Sequence, residues 1–418
     1  MRKALLFIGL ITFGISNIGV ANTFIINPKQ ILNVETGEII KAQVLVRDGK
    51  IIEVSRSIKN SNEIEIINLP KLTLLPGLMD AHVHLIGNTD LKGYEGLSES
   101  SYLATLYGAK NAKNTLLAGF TTVRNVGAGN YSDVALKQAI KQKVIIGPTL
   151  LVSGPALGIT GGHCDNNTLP PDFEHRSDGV ADGPWDIRKK VRENKKYGAD
   201  LIKFCATGGV MSKNTNLRTK QYTQEEMEAI VDEAHSRGMK VAAHAHGLEG
   251  IRAAIMAGVD SVEHSSLIDE QTIELAKSKG VYLAMDIYVS DFILGEGVEQ
   301  GIPEYSLNKE RQVGRLQREN FKKAVDANAN LVFGTDAGIF PHGKNARQFK
   351  YMVEWGMTSL QAIQASTIST AKLFDMGDTG QIKESYQADI IGVEGNPLED
   401  ITILENVKFV MSDGVVIK

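Results

Sequence analysis

Cysteine is almost missing from this chain: Cys164 and Cys205 are the only two in 418 residues. The fold therefore cannot rest on a disulfide framework and has to stand on a buried core. An oxidising compartment would permit one bond between them. Nothing in the sequence places them within reach of each other, so the expectation is two free buried thiols. A basic surplus is missing too, with 45 Lys and Arg against 49 Asp and Glu and a formal charge of -4. That excludes the phosphate-neutralising mode of nucleic-acid binding and leaves small molecules or peptides as partners. No strand runs into a glycine-rich phosphate-binding turn, which removes the main signal of a doubly wound nucleotide fold. Tandem repeats and low-complexity tracts are absent as well.

Long apolar runs are lacking except at the amino end, where Arg2 and Lys3 precede "ALLFIGLITFGISNIGV". Gly9, Gly14, Ser16 and Asn17 weaken this run, which falls short of a span of roughly 20 apolar residues. Small residues Gly19 and Ala21 then precede Asn22. Residues 1–21 read as a secretory signal peptide, so the mature protein is expected to be secreted, periplasmic in a Gram-negative source, and free of the membrane after cleavage.

What is present is ample apolar content, 43%, enough for a large barrel or two domains. Residues 22–75 carry short β-like runs, with Asp48-Gly49 between two of them, and residues 376–418 repeat the pattern with Asp413-Gly414. Such pairs favour type I′ hairpins, whose two central residues need positive φ. The two segments are expected to form one small β-sandwich flanking an inserted domain. Residues 76–375 alternate apolar strands with helical patterns, as parallel βα units do. Eight strands can be drawn: "LMDAHVH", "FTTVRNV", "TLLVSGP", "DLIKFCA", "KVAAHAH", "SVEHSS", "VYLAMD" and "LVFGTDA". The predicted fold class is α/β, a (β/α)8 TIM barrel. "TQEEMEAIVDEAHSRG" supplies one helix, opened by a Thr223/Glu226 capping box and stopped by Gly238.

Active-site residues of such barrels come from the carboxyl ends of several strands. Here those ends carry His82 and His84, Lys203, His244 and His246, His264, and Asp336. Residues two apart share a face of a strand, so each HxH pair can grip one ion. A lone histidine at a strand tip is ordinarily a hydrogen-bonded core residue, but gathering this many ionisable groups in one mouth is costly unless a cation compensates. Imidazole and carboxylate donors suit zinc or another divalent transition ion. Lys203 can join only when deprotonated, or as the carbamate formed with carbon dioxide, which acts as a bridging carboxylate.

These residues closely resemble those of the amidohydrolase superfamily, and the resemblance covers essentially all of the mature chain. "PGLMDAHVH", "HAHG", "VEHSS", "GTDAGIFPHG" and "ADIIGVEGNPLEDI" are similar in particular to the imidazolonepropionase-related group of zinc-dependent Xaa-Pro dipeptidases and Xaa-Arg or Xaa-Lys carboxypeptidases. The resemblance implies two metal ions, with His82, His84 and Asp336 on one, His244 and His264 on the other, and carboxylated Lys203 bridging them. It implies hydrolysis of an amide, with Asp336 moving the proton to the leaving amine. His246 is set apart as a supporting or substrate-contacting residue.

Substrate contacts are expected from the loops: His163, Arg218 and Tyr222, with His342 just past Asp336. Asp286, at the end of the seventh strand, where the resemblance requires no metal ligand, is expected to attract a substrate Arg or Lys, with a capping aspartate or one that supports a metal-binding histidine as the alternative. His175 and His235 look bland. A mononuclear deaminase would not need Lys203 and would carry a glutamate after the fifth-strand histidine. Imidazolonepropionase is cytosolic, which a signal peptide contradicts. A metal-binding protein without turnover would need no Asp336. A homo-oligomer is compatible with the sequence, which carries no signal of its state.

Overall fold

Alternating apolar and polar residues start the chain as a set of strands: β1 (Thr23–Leu32), β2 (Ile39–Ile40), β3 (Gln43–Arg47), β4 (Lys50–Ser55) and β5 (Glu65–Pro76). The computed structural model describes residues 23–60, 64–92 and 94–418, so the signal-peptide expectation lies outside the described residues. Strands β3 and β4 form an antiparallel hairpin through Asp48 and Gly49, at φ 49° and 79°. Both central residues take the left-handed conformation that a type I′ turn requires.

The barrel follows. Its strands are β6 (Leu78–Val83), β7 (Phe120–Asn125), β8 (Thr149–Val152), β9 (Leu201–Cys205), β10 (Lys240–Ala245), β11 (Ser261–His264), β12 (Tyr282–Ala284) and β13 (Leu331–Val332). Between them run α1 (Ser101–Leu117), α2 (Ser132–Lys141), α3 (Pro184–Tyr197), α4 (Gln224–His235), α5 (Leu248–Ala257), α6 (Glu270–Ser278), α7 (Val289–Gly295) and α8 (Glu304–Asp326). Thr223 and Glu226 form the reciprocal capping box at the start of α4. All neighbouring strands pair in parallel, as two runs, β6–β7–β8 and β9 through β13. Two seams close the circle. At one, Leu157 bonds to the backbone of Lys203 and Cys205 at 2.8 and 2.9 Å; at the other, His84 N donates to Ala337 O at 2.7 Å. Lys203 and His84 are thus pinned by closure of the barrel itself. The eight strand ends meet at one face, where such barrels carry their chemistry.

After the barrel the chain returns to the first sheet through β14 (Ile390–Glu394), β15 (Phe409–Ser412) and β16 (Val415–Val416). Strand β14 pairs antiparallel with β5, so the two segments share one eight-stranded sheet. Where two facing layers were expected, a single sheet curls back on itself. Its hairpin turns meet at the closing edge, where Ala388 N donates to Gly49 O at 2.8 Å and Gly414 N to Ala388 O at 3.1 Å. Ile26, Val44, Ile51, Leu74, Ile390 and Met411 fill the inside of the curl.

Candidate metal centre

The strand-end residues singled out in the sequence converge on a cavity of about 590 Å³. Asp336 Oδ1 lies 3.4 Å from His82 Nε2 and 3.3 Å from His84 Nε2. One donor atom each from His82, His84 and Asp336 falls within 4.8 Å of the others, and the same holds for His244, His246 and His264. The two groups adjoin, because the His82 and His264 rings are 4.9 Å apart. Lys203 is buried and lines the cavity. Burial draws its amine down to about 8, so about a tenth of it is neutral at pH 7, the form to which carbon dioxide adds. Burial likewise holds His244 and His246 well below the usual imidazole range, as neutral donors.

Four of the imidazoles, those of His82, His244, His246 and His264, are oriented by partners. His82 Nδ1 faces Glu263 Oε2 at 3.0 Å, which leaves Nε2 for the cavity. Burial works against an ionised Glu263, yet Arg124 at 2.8 Å and the His82 contact outweigh it and hold the carboxyl well below the ordinary range. Removing Arg124 would strand a buried charge, a loss of about 3–5 kcal/mol. His264 Nδ1 faces both oxygens of Asp286 at 3.0 Å, and Gln317 of α8 donates to Asp286 Oδ1 at 2.7 Å. His246 Nδ1 meets Ser266 Oγ at 2.8 Å, and His244 Nε2 lies 3.3 Å from Gly208 O, leaving its Nδ1. Fixing one nitrogen of a histidine in this way sets the tautomer and aims the other.

The backbone is also bent to the purpose. His264, Ser265 and Asp336 have φ of 67°, 50° and 57°, the left-handed region that costs roughly 1–3 kcal/mol per residue outside glycine. Hydrogen bonds of about 0.5–1.5 kcal/mol each oppose that cost. Gln317 donates to His264 O at 3.1 Å and Asn320 to Ser266 O at 2.9 Å, while Asp336 N donates to His82 O at 2.9 Å. The polar face of α8 thereby holds the end of β11. The donor set, its preset tautomers and the buried amine fit a pair of divalent ions.

A model of the amidohydrolase family matches residues 73–417. The chain belongs to the amidohydrolase family. This amidohydrolase is 36% identical to an ochratoxinase of Aspergillus niger over 360 residues, 81% of this chain and 73% of the relative. Among solved structures it is similar to a Xaa-Pro dipeptidase with bound methionine in the active site, with TM-score 0.89, 35% identity and coverage of 95% of this chain and 100% of that one. A prolidase complexed with N-methylphosphonate-L-proline matches with TM-score 0.87 and 29% identity, over 95% and 99% of the two chains.

Several expectations for this amidohydrolase need correcting. Cys164 and Cys205 are bonded rather than free, their Cα atoms 5.9 Å apart, because the loop after β8 folds over the end of β9. The bond fastens the loop that carries His163, whose ring lies 4.2 Å from that of His244 and whose Nδ1 meets Ser212 Oγ at 2.8 Å. Asp286 lines the cavity, but its oxygens are already engaged by His264 and Gln317, which gives it the work of aiming an imidazole. Tyr222 is fully buried, and its hydroxyl donates to Ala181 O at 3.1 Å, tying loop to loop outside the cavity. Arg218 is exposed and is not among the residues lining the cavity. His342 sits behind His84, with Nε2 3.0 Å from His84 O and Nδ1 3.2 Å from Thr115 Oγ1. It steadies that backbone instead of meeting a ligand. His175 reaches the cavity rim, whereas His235 pairs with Asp260 on the outside at 2.9 Å. Among the described residues no helix is long and apolar enough to cross a membrane.

Proposed function

We propose that this protein is a metal-dependent hydrolase of amide bonds in dipeptides or N-acyl amino acids. The observation that carries this reading is the meeting of His82, His84, His244, His264 and Asp336 around the buried amine of Lys203. His82, His84 and Asp336 would hold one divalent ion, zinc by donor type, and His244 and His264 the other, with Lys203 as its carbamate between them. Ions bound there supply Lewis acidity and lower the pKa of water. Asp336 takes up a proton on its carboxylate and delivers it to the departing amine. His163 and His246, whose rings lie 4.2 and 4.8 Å from that of His244, orient the amide and exclude water.

For the released residue we propose Arg or Lys. Asp286 does not provide the acid this requires, and the reading is supported instead by another buried carboxyl, Glu310. A second reading, release of Pro or a hydrophobic residue, is favoured by the apolar wall of Val289, Ile293, Val313 and Ile339 and by the names of the similar solved structures. We also infer export to an oxidising compartment, where a bond such as Cys164–Cys205 persists.

Metal analysis together with kinetics on a panel of dipeptides and N-acyl amino acids tests the proposal. Asp336→Asn is expected to keep most of the bound metal and lose roughly 10²- to 10⁴-fold in turnover. A folded protein without divalent metal, or a variant as active as the parent, would refute it.

A further inference from the structure

Asp178, Asp286, Glu310 and Asp336 line the cavity and Glu263 stands behind it; Asp178, at the rim, accepts from Asn130 N at 2.6 Å, and three of the other four are spoken for. Asp336 lies against His82 and His84, Asp286 serves His264 and Gln317, and Glu263 is paired with Arg124. Glu310, on α8, is different. Its side chain is 97% withdrawn from solvent, yet it lines the cavity beside Val289, Ile293 and Val313. Its one hydrogen-bond partner among the described residues is a neutral hydroxyl, Ser290 Oγ on α7, which donates to Oε1. No cationic side chain among them lies within ion-pairing distance; Arg318, about two helical turns on, is engaged by Ile287 O at 2.9 Å and Asp291 at 2.6 Å.

The helix is shaped to admit this arrangement. A Cβ at position 314 would lie 2.6 Å from both Glu310 Oε1 and Ser290 Oγ. Gly314 leaves that space open in the middle of a 23-residue helix, where glycine costs about 1 kcal/mol relative to alanine. A buried carboxylate with no counter-ion is itself costly, and burial pushes this one up to about 7. A partner that brings positive charge relieves that cost; an apolar partner does not.

We propose that Glu310 recognises a protonated nitrogen of the substrate, an alkylammonium or guanidinium whose hydrocarbon stem lies along Val289, Ile293 and Val313. This rests on the reading of the cavity as an amide-hydrolysing site and names the substrate class for it. Such a nitrogen can belong to the side chain of the released residue or to a free α-amino group.

The test uses the metal-loaded full chain and its Glu310→Gln variant with Ala-Arg, Ala-citrulline, N-acetylarginine and N-acetylcitrulline. Citrulline keeps the shape of arginine and drops its charge. The expected result is a fall of roughly 10- to 100-fold in the Arg-over-citrulline ratio of kcat/KM in the variant, the size of one lost charge-assisted hydrogen bond. If the ratio falls with and without the acetyl group, the side chain is the group recognised. If the dipeptide-over-acetyl ratio falls instead, it is the α-ammonium. No change in either ratio overturns the proposal. Denaturant melts of the variant beside the parent serve as the folding control. Calorimetric binding of L-arginine, L-citrulline and N-acetylarginine to both proteins separates the two readings. Without hydrolysis of any compound the amide-hydrolase reading fails, while Glu310-dependent preference for the charged ligand still supports recognition, and its absence still sinks it.

Discussion

The two walls of the cavity are held by different means. On the β9 side the loop carrying His163 is fastened covalently, through Cys164 to Cys205, and the loop after β9, whose Ser212 Oγ meets His163 Nδ1, is held by Lys309, whose ammonium donates to Gly209 O and Ser212 O at 2.9 and 2.6 Å. On the β11 side no covalent bond takes part. Asp286, Gln317 and Asn320 hold His264 and Ser266, on either side of the left-handed Ser265, through hydrogen bonds alone. The first device is a long-range tether whose contribution is mostly to overall stability. The second is a local set of bonds that aims one imidazole. Damage to the first should therefore register in melting, and damage to the second in chemistry.

Three measurements sharpen that contrast. Cutting the tether with Cys164→Ser and Cys205→Ser together should cost about 4 kcal/mol of unfolding free energy, as expected for a crosslink closing a loop of about 40 residues. Denaturant melts of parent and variant check this, and a loss under 1 kcal/mol would show that the loop is secured by its other contacts. On the opposite wall, Asp286→Ala should lower metal affinity or kcat roughly 10- to 100-fold, alike for Ala-Arg, Ala-Pro and Ala-Leu. A loss confined to Ala-Arg would restore Asp286 as a substrate-reading residue. The smallest effect belongs to Arg218→Ala, a change on the open surface of the β9 loop. Its kcat/KM should stay within about twofold of the parent, as surface substitutions do, and a tenfold rise in KM would bring that guanidinium into the site.

The barrel and the strand ends were legible because each depends on a local pattern. Apolar runs of strand length with histidines two apart can point only one way, and a Thr223/Glu226 capping box marks a helix start wherever it is read. Partners were harder, since they depend on distance across the fold. Asp286 at the end of a strand reads as an acid waiting for a ligand until Gln317, 31 residues on, is seen to share it with His264. Glu310 and Gly314 look like ordinary members of an amphipathic helix, and only their placement against Ser290 gives them meaning. The glutamate in "VEHSS" does carry a signal in the sequence, for a charge within an otherwise apolar strand demands a counter-charge, here Arg124. The two cysteines gave none, because 41 residues separate them and nothing local reports the fold of the loop between.

The pairing of β14 with β5 has a consequence for biosynthesis. Strand β5 leaves the ribosome roughly 300 residues ahead of the neighbour it is to join, an interval on the order of tens of seconds at ordinary elongation rates of about 5–20 residues per second. Through that time its β14-facing edge has no native strand to bond, and an unpaired edge invites association with other chains. Whatever attends the nascent polypeptide has to shield that edge until the last strands arrive.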